Sequence, residues 1–222
     1  MQNAEENEMN KITHVYVTRA HTEGMHGVKS FCFKLGCIMP DLLLYTYAKG
    51  HTYESRFDEV CDRIRKLSYT GELNAISCLK LGYILHYVED FFTYPHNNTF
   101  QGTLSDHVAY EAQFSIWMKD SENQYDPAIN EDISMAAKYS SCPDILILIN
   151  KLHNEYLEKK PCFTNDSRYM HRAASMLTSY FMPVFARNRA MRKARLAFGE
   201  AEAVPLVYIM PREMLSGKQQ IL

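Results

Sequence analysis

The sequence predicts an all-α fold, a multi-helix bundle running as a single domain over residues 1–222. Three observations lead there. Phe57, Val60, Cys61, Ile64 and Leu67 recur at steps of three and four, the period of one helix face. Residues 73–92 carry Ile76, Leu79, Leu81, Ile84, Leu85 and Val88 on several sides, which suits a helix in the middle of a bundle rather than at its edge. The second half alternates helical stretches with short breaks, without an internal repeat or low-complexity linker.

Taken in order, residues 1–10 read as a loose polar tail. Between Ile12 and Phe33 the pattern fits either helix or extended chain. Gly36 is expected to end an element and Pro40 to hold Met39 extended, so that Asp41 is presented from a turn. A helix over 53–68 stops at Thr70-Gly71, and the 73–92 helix stops before Pro95. Ser105 is the expected N-cap of a helix reaching Asp120. Further helices are expected over 129–139, 143–159 and 166–198, the last kinked or interrupted at Pro183. Residues 207–210 between two prolines read as a short extended piece.

Composition removes several function classes. Hydrophobic residues at 46% and charged residues at 23% describe an ordinary globular chain and not a disordered one. A formal net charge of -2 provides no field to attract a nucleic-acid backbone, so nucleic acid is not an expected partner. The start lacks a basic region followed by an apolar run, and no apolar stretch is long enough to span a bilayer. A cytoplasmic location is the expectation. The six cysteines contain no CxxC pair, so reduced core cysteines are expected and a thiolate zinc site is not.

The chemistry concentrates on one helix and its successor. Cys78, Gly82, His86 and Asp90 are spaced by four and share a face. Gly82 removes bulk where something must approach closely. Alone, His86 and Asp90 are equally what a buried His–Asp hydrogen bond looks like. The pair is repeated, however, by His107 and Glu111 on the next helix, with His96 in the loop between. Imidazole and carboxylate are natural zinc ligands, and His96, His107 and Glu111 make a three-ligand set that leaves a coordination position open. His86 and Asp90 begin a second set, which Asp41 and His51 can complete. Burying so many polar groups without metal would be costly.

The segments GCIMPD, LGYILHYVEDFFTYPHN and DHVAYE resemble the zinc-dependent phospholipase C family, which includes alpha-toxin catalytic domains and is distantly similar to the S1/P1 nucleases. The motif resemblance spans about Thr13 to Glu111. It implies a phospholipase C/P1 nuclease-like bundle around a central metal cluster of two or three zinc ions. By that resemblance Asp41, His51, His86 and Asp90 hold one zinc, and His96, His107 and Glu111 a second. Asp90 also bridges to a third, shared with an early histidine, for which His14 is the best match by chain order; His21 and His26 rank below it. In the family the third zinc is completed by an N-terminal tryptophan. This chain has none near its start, since Trp117 is its only tryptophan, so that position is expected to be weaker.

The implied activity is hydrolysis of a phosphodiester by metal-activated water, with Asp41 orienting or deprotonating that water. The expected substrate is a phospholipid or a small phosphodiester, reached with peripheral membrane contact at most. Two alternatives stand beside it, a noncatalytic zinc-stabilised helical protein and an S1/P1-like nuclease. Tyr45, Tyr47, Tyr87, Phe92 and Tyr94 are candidates for pocket walls or for ordinary helix packing. The basic run Arg187, Arg189, Arg192, Lys193 and Arg195 reads as a solvated helix face.

Overall fold

The architecture comes from a computed structural model of the chain, which describes residues 13, 14, 16, 17, 21, 25–42, 50–120 and 141–198. Its helices are α1 (Val28–Leu42), α2 (Tyr53–Thr70), α3 (Ala75–Asp90), α4 (Leu104–Asp120), α5 (Cys142–Leu157) and α6 (Phe163–Phe198), with a 3-10 turn at Tyr94–His96. No strand occurs among the described residues. The fold is all-α, as the periodicity predicts. The expected helix over 129–139, the tail and the 207–210 piece lie outside the described residues.

Helix α3 is the axis of the bundle and packs against α1, α2 and α6. Every residue from Leu81 to Thr93 is buried, so the helix has no solvent face over its second half. Its first half emerges in part, with Ile76 and Lys80 exposed. Asn74 caps α3 by accepting from the Ser77 N–H, and Thr52 caps α2 by accepting from the Ser55 N–H.

The close contact anticipated at Gly82 is with backbone, not with a ligand. A Cβ on Gly82 would overlap the Phe33 carbonyl oxygen, and a Cβ on Gly36 would overlap that of Leu79. The two helices therefore touch main chain to main chain. They run parallel, because Gly36 meets Leu79 and Tyr83 while further along Cys37 meets His86. Both C-terminal ends, with Asp41 on one and His86 and Asp90 on the other, arrive at the same place.

This packing overrides three local signals. Gly36 does not end α1, and Met39 is helical although it precedes proline. Pro40 sits inside the last turn, where it lacks the N–H that would donate to the Gly36 carbonyl, and the helix runs on to Leu42 despite that lost bond. Asp41 thus belongs to the C-terminal turn of α1 and not to a separate turn. In α6, Pro183 does not interrupt the helix: Tyr180, Phe181, Val184 and Phe185 are all buried and hold both sides of it in place. The start of α4 differs as well. Thr103, not Ser105, caps it, with the Asp106 N–H donating to Thr103 Oγ1 at 3.3 Å and the Thr103 N–H returning a bond to Asp106 Oδ2 at 2.7 Å.

All six cysteines are free thiols. Cys37, Cys61, Cys78 and Cys142 are buried, Cys32 is partly buried and Cys162 is exposed.

Candidate metal centre

The ligand candidates come together at one end of the α1–α3 pair. Three groups have donor atoms lying within 4.8 Å of one another: His14, His86 and Asp90; Asp41, His51 and His86; and His96, His107 and Glu111. Each is able to coordinate a metal ion.

Asp90 stands between them. Its Oδ2 lies 3.3 Å from His51 Nδ1 and 3.3 Å from His86 Nε2, and its Oδ1 lies 3.3 Å from His14 Nε2 and 3.9 Å from His96 Nε2. Asp41 Oδ1 is 3.5 Å from His86 Nε2 and 3.8 Å from His51 Nδ1. Glu111 Oε1 receives both His96 Nε2 and His107 Nε2 at 2.9 Å.

The far sides of the rings are also engaged. His86 Nδ1 donates to the Cys37 carbonyl at 2.8 Å, which fixes the tautomer and turns the Nε2 lone pair toward Asp41 and Asp90. His14 Nδ1 meets Glu89 Oε2 at 2.6 Å, a carboxylate–imidazole pair of the kind that orients metal ligands. Arg56, itself buried, donates Nε to the Gly50 carbonyl at 2.7 Å and lies over the Tyr87 ring, bracing the loop that carries His51. Gly50 takes φ 69°, a left-handed conformation that suits glycine there.

Zinc fits this arrangement. The donors are imidazole nitrogens and carboxylate oxygens, and they face one another across gaps of 3.3 to 3.9 Å, as at Asp90 and Asp41. Asp41 Oδ2 and Asp90 Oδ2 are buried without a hydrogen bond among the described residues, which a protein interior does not normally tolerate in carboxylates.

The protonation equilibria reflect the crowding. Burial pulls His86 down to about 4, against the pull of Asp90 and Asp41. Burial also opposes charge on His96, yet the Asp90 and Glu111 carboxylates outweigh it and raise that ring to about 9. For Glu111, burial is outweighed by hydrogen bonds from His107 and His96, which bring it to about 2. Asp90 is held well below its usual range, the neighbouring imidazoles overcoming its burial. Glu89, buried against His14, rises to about 7.

Next to the ligands opens a small cleft whose other wall is Tyr110, Phe114 and Met170. Of the aromatic candidates, Tyr87 and Phe92 are core residues and do not line it, and Tyr45 and Tyr47 lie outside the described residues. His21 packs on His171 and Ser175 of α6, with ring nitrogens 3.5 Å apart, and is not part of the ligand groups; His26 is exposed. Arg187, Arg189, Arg192 and Lys193 are exposed, and Arg192 pairs with Glu72 at 2.5 Å.

Sequence reasoning did not single out Glu89, Arg56, Asp166, Asn97 or His153. Asn97 donates Nδ2 to the Phe91 and Thr93 carbonyls and accepts from His153 Nε2 at 2.7 Å, locking the turn that bears His96.

A family model described as zinc dependent phospholipase C matches residues 13–186. The match takes in α5 and most of α6, well past the Glu111 limit of the motif resemblance. No curated protein and no solved structure matches the chain.

Proposed function

The chain belongs to the zinc-dependent phospholipase C family, and we propose that its substrate is a phospholipid, cut on the glycerol side of its phosphate. As a phospholipase C-like enzyme it is a zinc-dependent phosphodiester hydrolase; the substrate and the assignment of each ligand are the proposal. Asp41, His51, His86 and Asp90 would hold one zinc ion, and His96, His107 and Glu111 a second. His14 with Asp90 and His86 would hold a third. The observation that carries this reading is Asp90, whose two oxygens face different ligand groups.

Zinc bound at these groups supplies a Lewis acid for the phosphoryl oxygens and acidifies water at neutral pH. The chain's own residues do the rest. Asp41, whose Oδ2 has no hydrogen bond among the described residues, would take the proton of the attacking water. Glu111 and Asp90 keep their negative charge at neutral pH, because both titrate below the usual carboxylate range. Tyr110, Phe114 and Met170 give the cleft an apolar side on which the acyl or glycerol part of a lipid can lie. No helix among the described residues is long and apolar enough to cross a membrane.

The test is a substrate panel with zinc-loaded protein: phosphatidylcholine, phosphatidylethanolamine, a small chromogenic phosphodiester and single-stranded DNA. Chelator-sensitive release of diacylglycerol is expected. Turnover of DNA alone would move the substrate to nucleic acid. Cleavage of the small diester without lipid would restrict it to soluble head-group esters, and no turnover with the ligand groups filled would overturn the reading.

A further inference from the structure

Asp166, near the start of α6, is fully buried and joins three other elements. Its Oδ2 accepts from the Tyr94 N–H at 3.0 Å and from the Tyr110 hydroxyl at 2.7 Å, and its Oδ1 accepts from the Tyr156 hydroxyl at 2.9 Å. Tyr94 opens the 3-10 turn that ends at His96. Tyr110 directly precedes Glu111 and lies one helical turn beyond His107. Tyr156 ends the span by anchoring α5.

The ligand group His96, His107 and Glu111 is split between that turn and α4. The two are separated by a loop, so the chain alone does not fix their relative position. Asn97 ties the turn back to the end of α3. The same oxygen of Asp166 then grips the turn through main chain and α4 through Tyr110. Three donors satisfy a carboxylate that would otherwise be expensive to bury, so the group has a geometry it must keep.

We propose that Asp166 is a positioning residue for the His96, His107 and Glu111 group, holding the 3-10 turn and α4 in the register that lets the three side chains close on one metal ion. This rests on the reading of that group as zinc ligands. Asp166 touches neither the ions nor the substrate; it acts through Tyr94 and Tyr110. Replacement by asparagine keeps the volume but puts an amide N–H against at least one donor, which loosens the grip on one partner.

The experiment is zinc titration of the full chain against a chromogenic chelator, together with thermal midpoints with and without zinc. Asp166→Asn should weaken one zinc of the set by at most about 10-fold, the low end of the effect of removing a partner bonded directly to a ligand, because Asp166 acts one step further out. The rise in midpoint produced by zinc should shrink too. A purely structural role would lower the zinc-free and zinc-loaded midpoints equally and leave the titration unchanged, and that result overturns the proposal. If Asp166→Asn does not fold, Tyr110→Phe removes one donor and keeps the ring, and should show the same change in smaller size. In the double variant His107→Ala/Asp166→Asn, the asparagine should add little to the loss caused by His107→Ala alone, since both act on one group; full additivity would refute the link. Wild-type protein that takes up no zinc would overturn the ligand reading itself, whereas wild type that fills beside an equally filled Asp166→Asn overturns this proposal alone.

Discussion

His14 Nδ1 lies 2.6 Å from Glu89 Oε2, and the two side chains are closed off from solvent. The N–H of the ring is thereby committed to the carboxylate, and Nε2 faces Asp90 Oδ1 at 3.3 Å. The early segment and α3 are joined at the point where the proposed third ion would sit.

Glu89→Gln should therefore loosen the ion held by His14, His86 and Asp90 by about 10- to 100-fold while leaving the His96 group intact. Zinc competition with a chelator measures it. Unchanged affinity for every ion would show that Glu89 does no more than fill space.

Among the ligands, His107→Ala removes one of three side chains from its group, and Asp90→Asn weakens contacts to more than one group. Zinc content should fall in both, further in Asp90→Asn, and the thermal midpoint should fall with it. His21→Ala, which disturbs only the contact with His171 and Ser175, should keep its zinc. Equal zinc content in all three proteins would mean that the ligands are misassigned.

The α1–α3 contact is a steric prediction. An exposed helical glycine replaced by alanine gains about 1 kcal/mol. At Gly82 the added methyl would strike the Phe33 carbonyl, so Gly82→Ala should instead destabilise by about 1–3 kcal/mol or more. Urea unfolding gives the sign directly, and a stabilised variant would contradict the close approach.

His153 predicts a pH dependence outside the ligands. Burial lowers its pKa from 6.5 to about 4, and it lies buried against Tyr53 and Asn97. The unfolded chain takes up this proton as pH drops below 6.5, while the folded chain stays neutral until about 4. The contribution is complete above 6.5 and is lost as pH falls through that window, on the order of 3 kcal/mol at 1.36 kcal/mol per unit. Denaturant unfolding of the chelator-treated protein at both ends of the window should show a smaller loss for His153→Gln than for wild type. Identical losses would exclude His153 as a source.

What the sequence made legible follows from what leaves a local mark. The i,i+4 pairs His86/Asp90 and His107/Glu111 are written in the helix period, and the apolar coverage of residues 81–88 marks α3 as the axis. Glu89 looks like one more polar residue beside Asp90, and nothing local says that it meets His14. Asp166 reads as an acidic residue in the first turn of a helix, although it reaches Tyr94 and Tyr110 of distant elements. Pro40 predicts an extended Met39 and Pro183 a kink or an interruption, yet both prolines lie inside continuous helices. Ser105 has capping chemistry too, but the reciprocal bonds at the start of α4 join Thr103 and Asp106.

Anomalous diffraction at the zinc edge from crystals of the zinc-loaded protein tests the central claim most directly. The account predicts one peak among Asp41, His51, His86 and Asp90 and another among His96, His107 and Glu111, with a weaker third beside His14 where Asp90 and His86 face it. Crystals grown from zinc-replete protein that show no peak at either of the first two positions would contradict it.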